Sequence, residues 1–157
     1  MKHEIMPVFD GKSRILILGS FPSEASRKQG FYYGHPRNRF WRVISGVLGC
    51  ETPETVDEKK RMLLSHGIAL WDVIGSCTVS GSADSNIRDV VPNDLSIIFS
   101  ASDIKAVYLN GALAFSLYEK YGAGAVPYFR MPSTSPANAA VSLETLTEAW
   151  SVIRCML

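Results

Sequence analysis

Four short apolar runs, SRILILGS, IALWDVI, IKAVYLNG and AVPYFRMP, are spread along the chain, and helical patterns lie between them. Within each run apolar side chains follow one another instead of alternating, as in a strand buried on both faces. Parallel neighbours need crossovers of about a dozen residues or more, and the spacing allows them. The pattern therefore predicts an α/β fold with a central, parallel, four-stranded sheet covered by helices on both faces. The first strand is expected over about residues 14–18. Ligands of such sheets bind beyond the carboxyl ends of the strands. That rule points to Gly19 and Ser20, Asp72, Asn110 and residues 131–135.

The connections differ in character. FPSEASRKQGFYYGHP has Pro, Gly and Ser but no period and reads as a long loop, as does GSCTVSGSADSNI. Pro36 suits the first turn of a helix, where a missing N–H is harmless. Phe40, Trp41, Ile44, Val47 and Leu48 follow at helical spacing. Thr55 and Glu58 form a capping box for a second helix running to about His66, with Gly67 as its stop. PNDLSIIFSA reads as a short helix, ALAFSLYEKYG as a helix closed by Gly122, STSPANAA as a loop and SLETLTEAWSVIRCM as a terminal amphipathic helix. The 157 residues suit one domain.

Composition removes several function classes. No run approaches the roughly 18 apolar residues of a membrane span. The start, MKHEIMPVFDGKSR, lacks the apolar stretch of a secretion signal, so a cytoplasmic location is expected. Cys50, Cys77 and Cys155 are scattered and form no CxxC pair, so neither a structural metal nor a disulfide framework is expected. The net charge of +1 conceals a basic N-terminal third, with eight Lys/Arg against three acids in residues 1–44. Such a bias fits a phosphate footprint or a solvated face equally. His3 and His66 read as incidental, one near the terminus and one at a helix end.

The stretch YYGHPRNRFW, residues 32–41, gathers stacking, hydrogen-bonding and cationic groups in one place. Tyr32 and Tyr33 offer a flat face for a base. Arg37, Arg39 and the helix start expected at Pro36 offer a site for an anion. Asn38 and Asp72 are placed to read or activate a group beside them. The alternative is that both tyrosines belong to the core and Asn38 is an ordinary first-turn residue. Other templates fit less well. GSFPSEASRKQG lacks the Gly-Lys-Ser/Thr ending of a P-loop and the spacing of GxGxxG. Ser20, His35 and Asp72 compose a triad on paper, but no GxSxG elbow is present.

Taken together, LILGSFPS, GFYYGHPRNRFW, ALWDVIGSC, GSADSNI, YLNG and MPSTSPAN resemble the uracil-DNA glycosylase superfamily, most closely its DNA-deoxyinosine (hypoxanthine-DNA) glycosylases. The likeness runs from about Ile15 to Asn138. It implies a three-layer α/β/α fold and a metal-free, cofactor-free enzyme that flips a deaminated base from double-stranded DNA. The enzyme would then hydrolyse the N-glycosidic bond, leaving an abasic site for downstream repair enzymes. A monomer, associated with the nucleoid in a bacterium, is expected.

By this resemblance Asn38 positions the attacking water and Tyr33 stacks on the extruded base. Ser20, Phe21, Tyr33, His35 and Asp72 surround that base. Residues 131–138 lie along DNA, with Ser133, Thr134, Ser135, Pro136 and Asn138 as contacts beside Arg37 and Arg39. Some positions depart from the superfamily pattern. Ser20 stands where many members carry a catalytic Asn or Asp, and Met131 where uracil-specific relatives have a histidine. Val79 replaces a basic residue and Ser23 a glycine. The donor to the departing base is thus unassigned. Two alternatives follow, a uracil- or mismatch-specific glycosylase and an inactive nucleic-acid-binding module of the same fold.

Overall fold

The structure, a computed structural model, describes residues 1–79, 87–122 and 124–157. The four apolar runs form one parallel sheet. Its strands are β1 (Ile15–Gly19), β2 (Ile68–Asp72), β5 (Ala106–Asn110) and β6 (Tyr128–Met131), in the spatial order β2-β1-β5-β6. Every residue of β1 and β2 is buried, as their unbroken apolar character demands. β6 lies at the edge, so Tyr128, Phe129 and Arg130 are exposed while Met131 turns into the core.

The helices flank this sheet: α1 (Glu24–Gln29), α2 (Phe40–Leu48), α3 (Val56–Ser65), α4 (Ser96–Ala101), α5 (Ala112–Tyr121) and α6 (Leu143–Trp150). α2 packs on α6, α3 on β2, and α5 on β5 and β6. The Trp150 ring is fully buried, and its Nε1–H donates to the Pro132 carbonyl at 3.0 Å, tying α6 to the segment leaving β6. At α3 the capping box forms as expected. The Thr55 hydroxyl accepts from the Glu58 N–H, and the Glu58 carboxylate accepts from the Thr55 N–H, both at 3.1 Å.

Five expectations about connections and helix ends need correction. The stretch after β1 is not wholly loop, because Ser23 caps the short α1 and Gly30, at φ 75°, ends it. Pro36 does not open α2, which starts at Phe40. Pro36 instead sits in a turn closed by the Asn38 N–H donating to the His35 carbonyl at 2.9 Å. GSCTV is not loop either. It belongs to β3 (Ile74–Val79), which pairs antiparallel with β4 (Ile87–Pro92) through two irregularities in register. Most of GSADSNI, at residues 81–86, lies outside the described residues. Finally, the terminal helix tightens after Trp150 into a 3-10 turn, Ser151–Met156, and STSPANAA contains another at Pro136–Asn138.

Candidate active site

Parallel register brings Gly19 level with Asp72, and Asn110 level with Met131, along the carboxyl edge of the sheet. A cleft of about 1110 Å³ opens over this edge. Ser20, Phe21, Tyr33, His35, Asn38 and Asp72 all line it, as do Ser133, Thr134, Ser135, Pro136 and Asn138. The sheet rule and the aromatic-rich motif thus converge on one place, although the residues come from distant parts of the chain.

Asn38 is held rigidly. Its Oδ1 accepts from the Phe40 N–H at 2.9 Å and from the Thr134 hydroxyl at 2.9 Å. A backbone N–H can only donate, so the atom facing it is the oxygen, and the amide orientation follows. Thr134 is fixed in turn by Asn110, which donates from Nδ2 to its hydroxyl and accepts its N–H at Oδ1, each at 3.0 Å. With both lone pairs of Oδ1 engaged, the Nδ2 amino group is what Asn38 offers to the cleft. Thr134 itself is 0% exposed. Expected along DNA, it is instead an internal brace, because its hydroxyl links Asn38 and Asn110 beneath the surface. Met131 is likewise buried, as the last residue of β6.

The two tyrosines part company. Tyr32 is buried, and its hydroxyl donates to the Met6 carbonyl at 2.8 Å, so it belongs to the core and offers no stacking face. Tyr33 is half-buried at φ 54°, a conformation uncommon for a bulky residue and often met at functional sites. One face of its ring lies on Phe40, with centroids 4.0 Å apart and planes 14° from parallel. The Tyr33 hydroxyl is enclosed and makes no well-formed hydrogen bond among the described residues, the Asn110 side chain engaging it only loosely. Burial, and after it the charge of Asp72, pushes its pKa well above the ordinary tyrosine value, so the proton stays.

Asp72 is 3% exposed and pairs with His3, Nε2 lying 2.8 Å from Oδ2. His3 is therefore not incidental: its side chain is 1% exposed and it supplies the partner a buried carboxylate requires. This pairing dissolves the paper triad, since Asp72 faces His3 while His35 Nδ1 accepts the Arg37 N–H at 3.0 Å. His66 caps α3, its Nδ1 2.7 Å from the Met62 carbonyl.

The cations are also sorted by geometry. Arg39 reaches the carbonyls of Val141 and Asn138, the latter at 2.9 Å, so its guanidinium clamps the turn after β6. Arg37 is exposed outside the cleft wall. Arg27 and Arg130, which the motif reading did not single out, are exposed and line the cleft. Asn138 donates from Nδ2 to the Ser133 carbonyl at 2.9 Å and so shapes its own loop. Among the described residues no cluster of three or more His, Cys, Asp or Glu is arranged to hold a metal ion, and no helix is long and apolar enough to cross a membrane.

In open α/β proteins the cleft at the carboxyl edge of a parallel sheet is where ligands bind, and here a tyrosine ring and a braced asparagine line it. The sequence model of the Uracil DNA glycosylase superfamily matches residues 6–154, and the chain belongs to that superfamily. It is 35% identical over 157 residues to the Hypoxanthine DNA glycosylase of Methanosarcina acetivorans, covering 98% of this chain and 99% of that one. It is 37% identical over 113 residues to the Hypoxanthine DNA glycosylase of Methanosarcina barkeri, covering 70% and 71% of the two chains. The solution NMR structure of a candidate uracil DNA glycosylase from Methanosarcina acetivorans matches with a TM-score of 0.82 at 32% identity, over 99% of this chain and 98% of that one.

Proposed function

We propose that this protein is a monofunctional DNA glycosylase that extrudes hypoxanthine from deoxyinosine in duplex DNA and hydrolyses the base–sugar bond. The observation that carries this reading is Asn38, its oxygen doubly bonded inside the protein and its amino group left for the cleft. A water accepting from Nδ2–H through one lone pair keeps the other for C1′ of the deoxyribose. The bond to the base nitrogen breaks with its electron pair leaving on the base, and water oxygen adds at C1′. The departing proton goes to solvent or base. Orientation of this water and stabilisation of the charged transition state are what the site contributes.

The remaining residues serve extrusion and recognition. Flipping costs a few kcal/mol, least at a mismatched base such as inosine opposite thymine. Stacking on the Tyr33 ring, which lines the cleft, offsets about 1–3 kcal/mol of it. Asp72 Oδ1 accepts the lactam N–H of hypoxanthine, whereas adenine presents a bare ring nitrogen there and leaves a buried acceptor facing an acceptor. Arg27, Arg37 and Arg130 meet phosphates along the rim. The abasic site passes to separate repair enzymes, and one copy of the chain suffices for the reaction.

Uracil also carries an N–H beside a carbonyl, so Asp72 accommodates it by the same bond, and this keeps a uracil-directed reading in play. Base release from a duplex with one deoxyinosine opposite thymine, beside its deoxyuridine counterpart, separates the two. Abasic sites should appear in the inosine duplex and disappear with Asn38→Ala. Release from the uracil duplex alone would move the specificity, and release from neither would leave a binding module.

A further inference from the structure

Asp72 lines the cleft and pairs with the buried side chain of His3 behind it, a partner that the motifs do not explain. An ionised carboxylate only accepts, so the 2.8 Å contact requires His3 Nε2 to carry a proton and donate it to Oδ2. His3 Nδ1 is buried and has no partner among the described residues. A bare nitrogen there is an unfilled acceptor, whereas a second N–H would be a buried positive donor with nothing to receive it. The geometry thus places a proton on Nε2 and leaves Nδ1 the unfilled acceptor.

The ring is also immobilised. Its backbone N–H donates to the Gly75 carbonyl at 2.7 Å, and Phe21 and Trp71 meet it edge-on at centroid distances of 6.0 and 6.4 Å. A fixed donor on Oδ2 sets the rotation of the whole carboxyl group. Oδ1, which no described residue hydrogen-bonds, then lies beside Gly19, where a Cβ would come within 2.4 Å of it.

We propose that His3 is a positioning residue that locks Asp72 with Oδ1 directed at the N–H of the extruded base. This rests on the reading of Asp72 as the base acceptor. Without His3, Oδ2 loses its donor, the carboxyl group turns freely, and the base acceptor is no longer in one place. The effect falls on recognition of the base and not on grip of the sugar-phosphate backbone.

The test uses the full chain with His3→Phe, which keeps a flat ring but removes the donor, and His3→Gln, whose amide N–H replaces it. The expected result is a fall of about tenfold or more in kcat/KM on the deoxyinosine duplex for His3→Phe, with recovery to within about threefold in His3→Gln. Affinity for a duplex already abasic should be unchanged in both. Adding His3→Phe to Asp72→Asn should cause no further loss, because the two act as one unit. Should His3→Phe not fold, the ring 15N signals of wild-type protein decide, with His3 assigned by its absence in His3→Gln. An Nε2–H tautomer supports the proposal and an Nδ1–H tautomer overturns it. A folded His3→Phe with wild-type kcat/KM also overturns it, alone. A wild-type protein inactive on inosine and uracil duplexes overturns the glycosylase reading, and this proposal with it.

Discussion

Gly19 closes β1 at a point that both Asp72 and Tyr33 crowd. A Cβ there would stand 2.4 Å from Asp72 Oδ1 and 3.0 Å from the Tyr33 hydroxyl oxygen. Neither neighbour yields easily, since His3 holds the carboxylate and Phe40 backs the tyrosine ring. The requirement is steric and not one of backbone conformation. Gly19→Ala should cost about 1–3 kcal/mol through overpacking and reduce base release by about tenfold or more as Asp72 is displaced. Thermal melting and single-turnover release would measure the two effects, and a variant of undiminished activity would show that Asp72 need not hold its position. At this scale the sequence discloses residues unevenly. Asn38 and Tyr33 stand out because ten consecutive residues concentrate their chemistry. His3 does not, because its partner lies 69 positions away and no local pattern links them. Thr134 reads as a surface hydroxyl until the fold places it between Asn38 and Asn110.

Among the elements, α3 is the one whose start the sequence specifies most fully. Thr55 and Glu58 satisfy each other's backbone N–H groups, and the helix packs on β2 away from the cleft lining. Thr55→Ala should therefore lower stability by about 1 kcal/mol without altering base release, as urea unfolding and an activity assay would register. A comparable loss of activity would mean that α3 communicates with the cleft. Three of the sheet strands, β1, β2 and β5, are readable for a related reason, since burial on both faces leaves an uninterrupted apolar signature, whereas the edge strand β6 shows only by its short aromatic run. β3 is not readable, because Gly75, Ser76 and Thr78 interrupt its apolar residues and its pairing with β4 shifts register twice. α1 was hidden by its six-residue length, too short for a period to emerge between Pro22 and Gly30. Pro36 misled because proline suits a β-turn as well as a helix start, and the turn won once Asn38 bonded back to His35.

For the molecule as a whole, the cleft imposes a cost on stability that pH should expose. Tyr32 and Tyr33 are both driven above the ordinary tyrosine pKa of 10.0, first by burial and then by the charge of Asp72. The folded protein thus keeps protons that the unfolded chain releases near pH 10. Their contribution is fully present below that pH and is lost as pH rises beyond it, at about 1.4 kcal/mol per pH unit for each group. Tyr33 carries an opposing term: its enclosed hydroxyl makes no well-formed hydrogen bond among the described residues, with the Asn110 side chain only loosely engaged, which is unfavourable at any pH below its own ionisation. Tyr33→Phe should accordingly unfold at higher urea concentration than wild type at pH 7, by about 1 kcal/mol, and lose stability above pH 10 with a slope shallower by the share of one tyrosine. Tyr32→Phe should differ in sign at pH 7, because there a made bond to the Met6 carbonyl is removed. Urea midpoints between pH 7 and 11 for the three proteins would separate these terms. A destabilised Tyr33→Phe at neutral pH would mean that the hydroxyl is satisfied in solution, by water entering the cleft, and that the site is wetter at its floor than the enclosure of that atom implies.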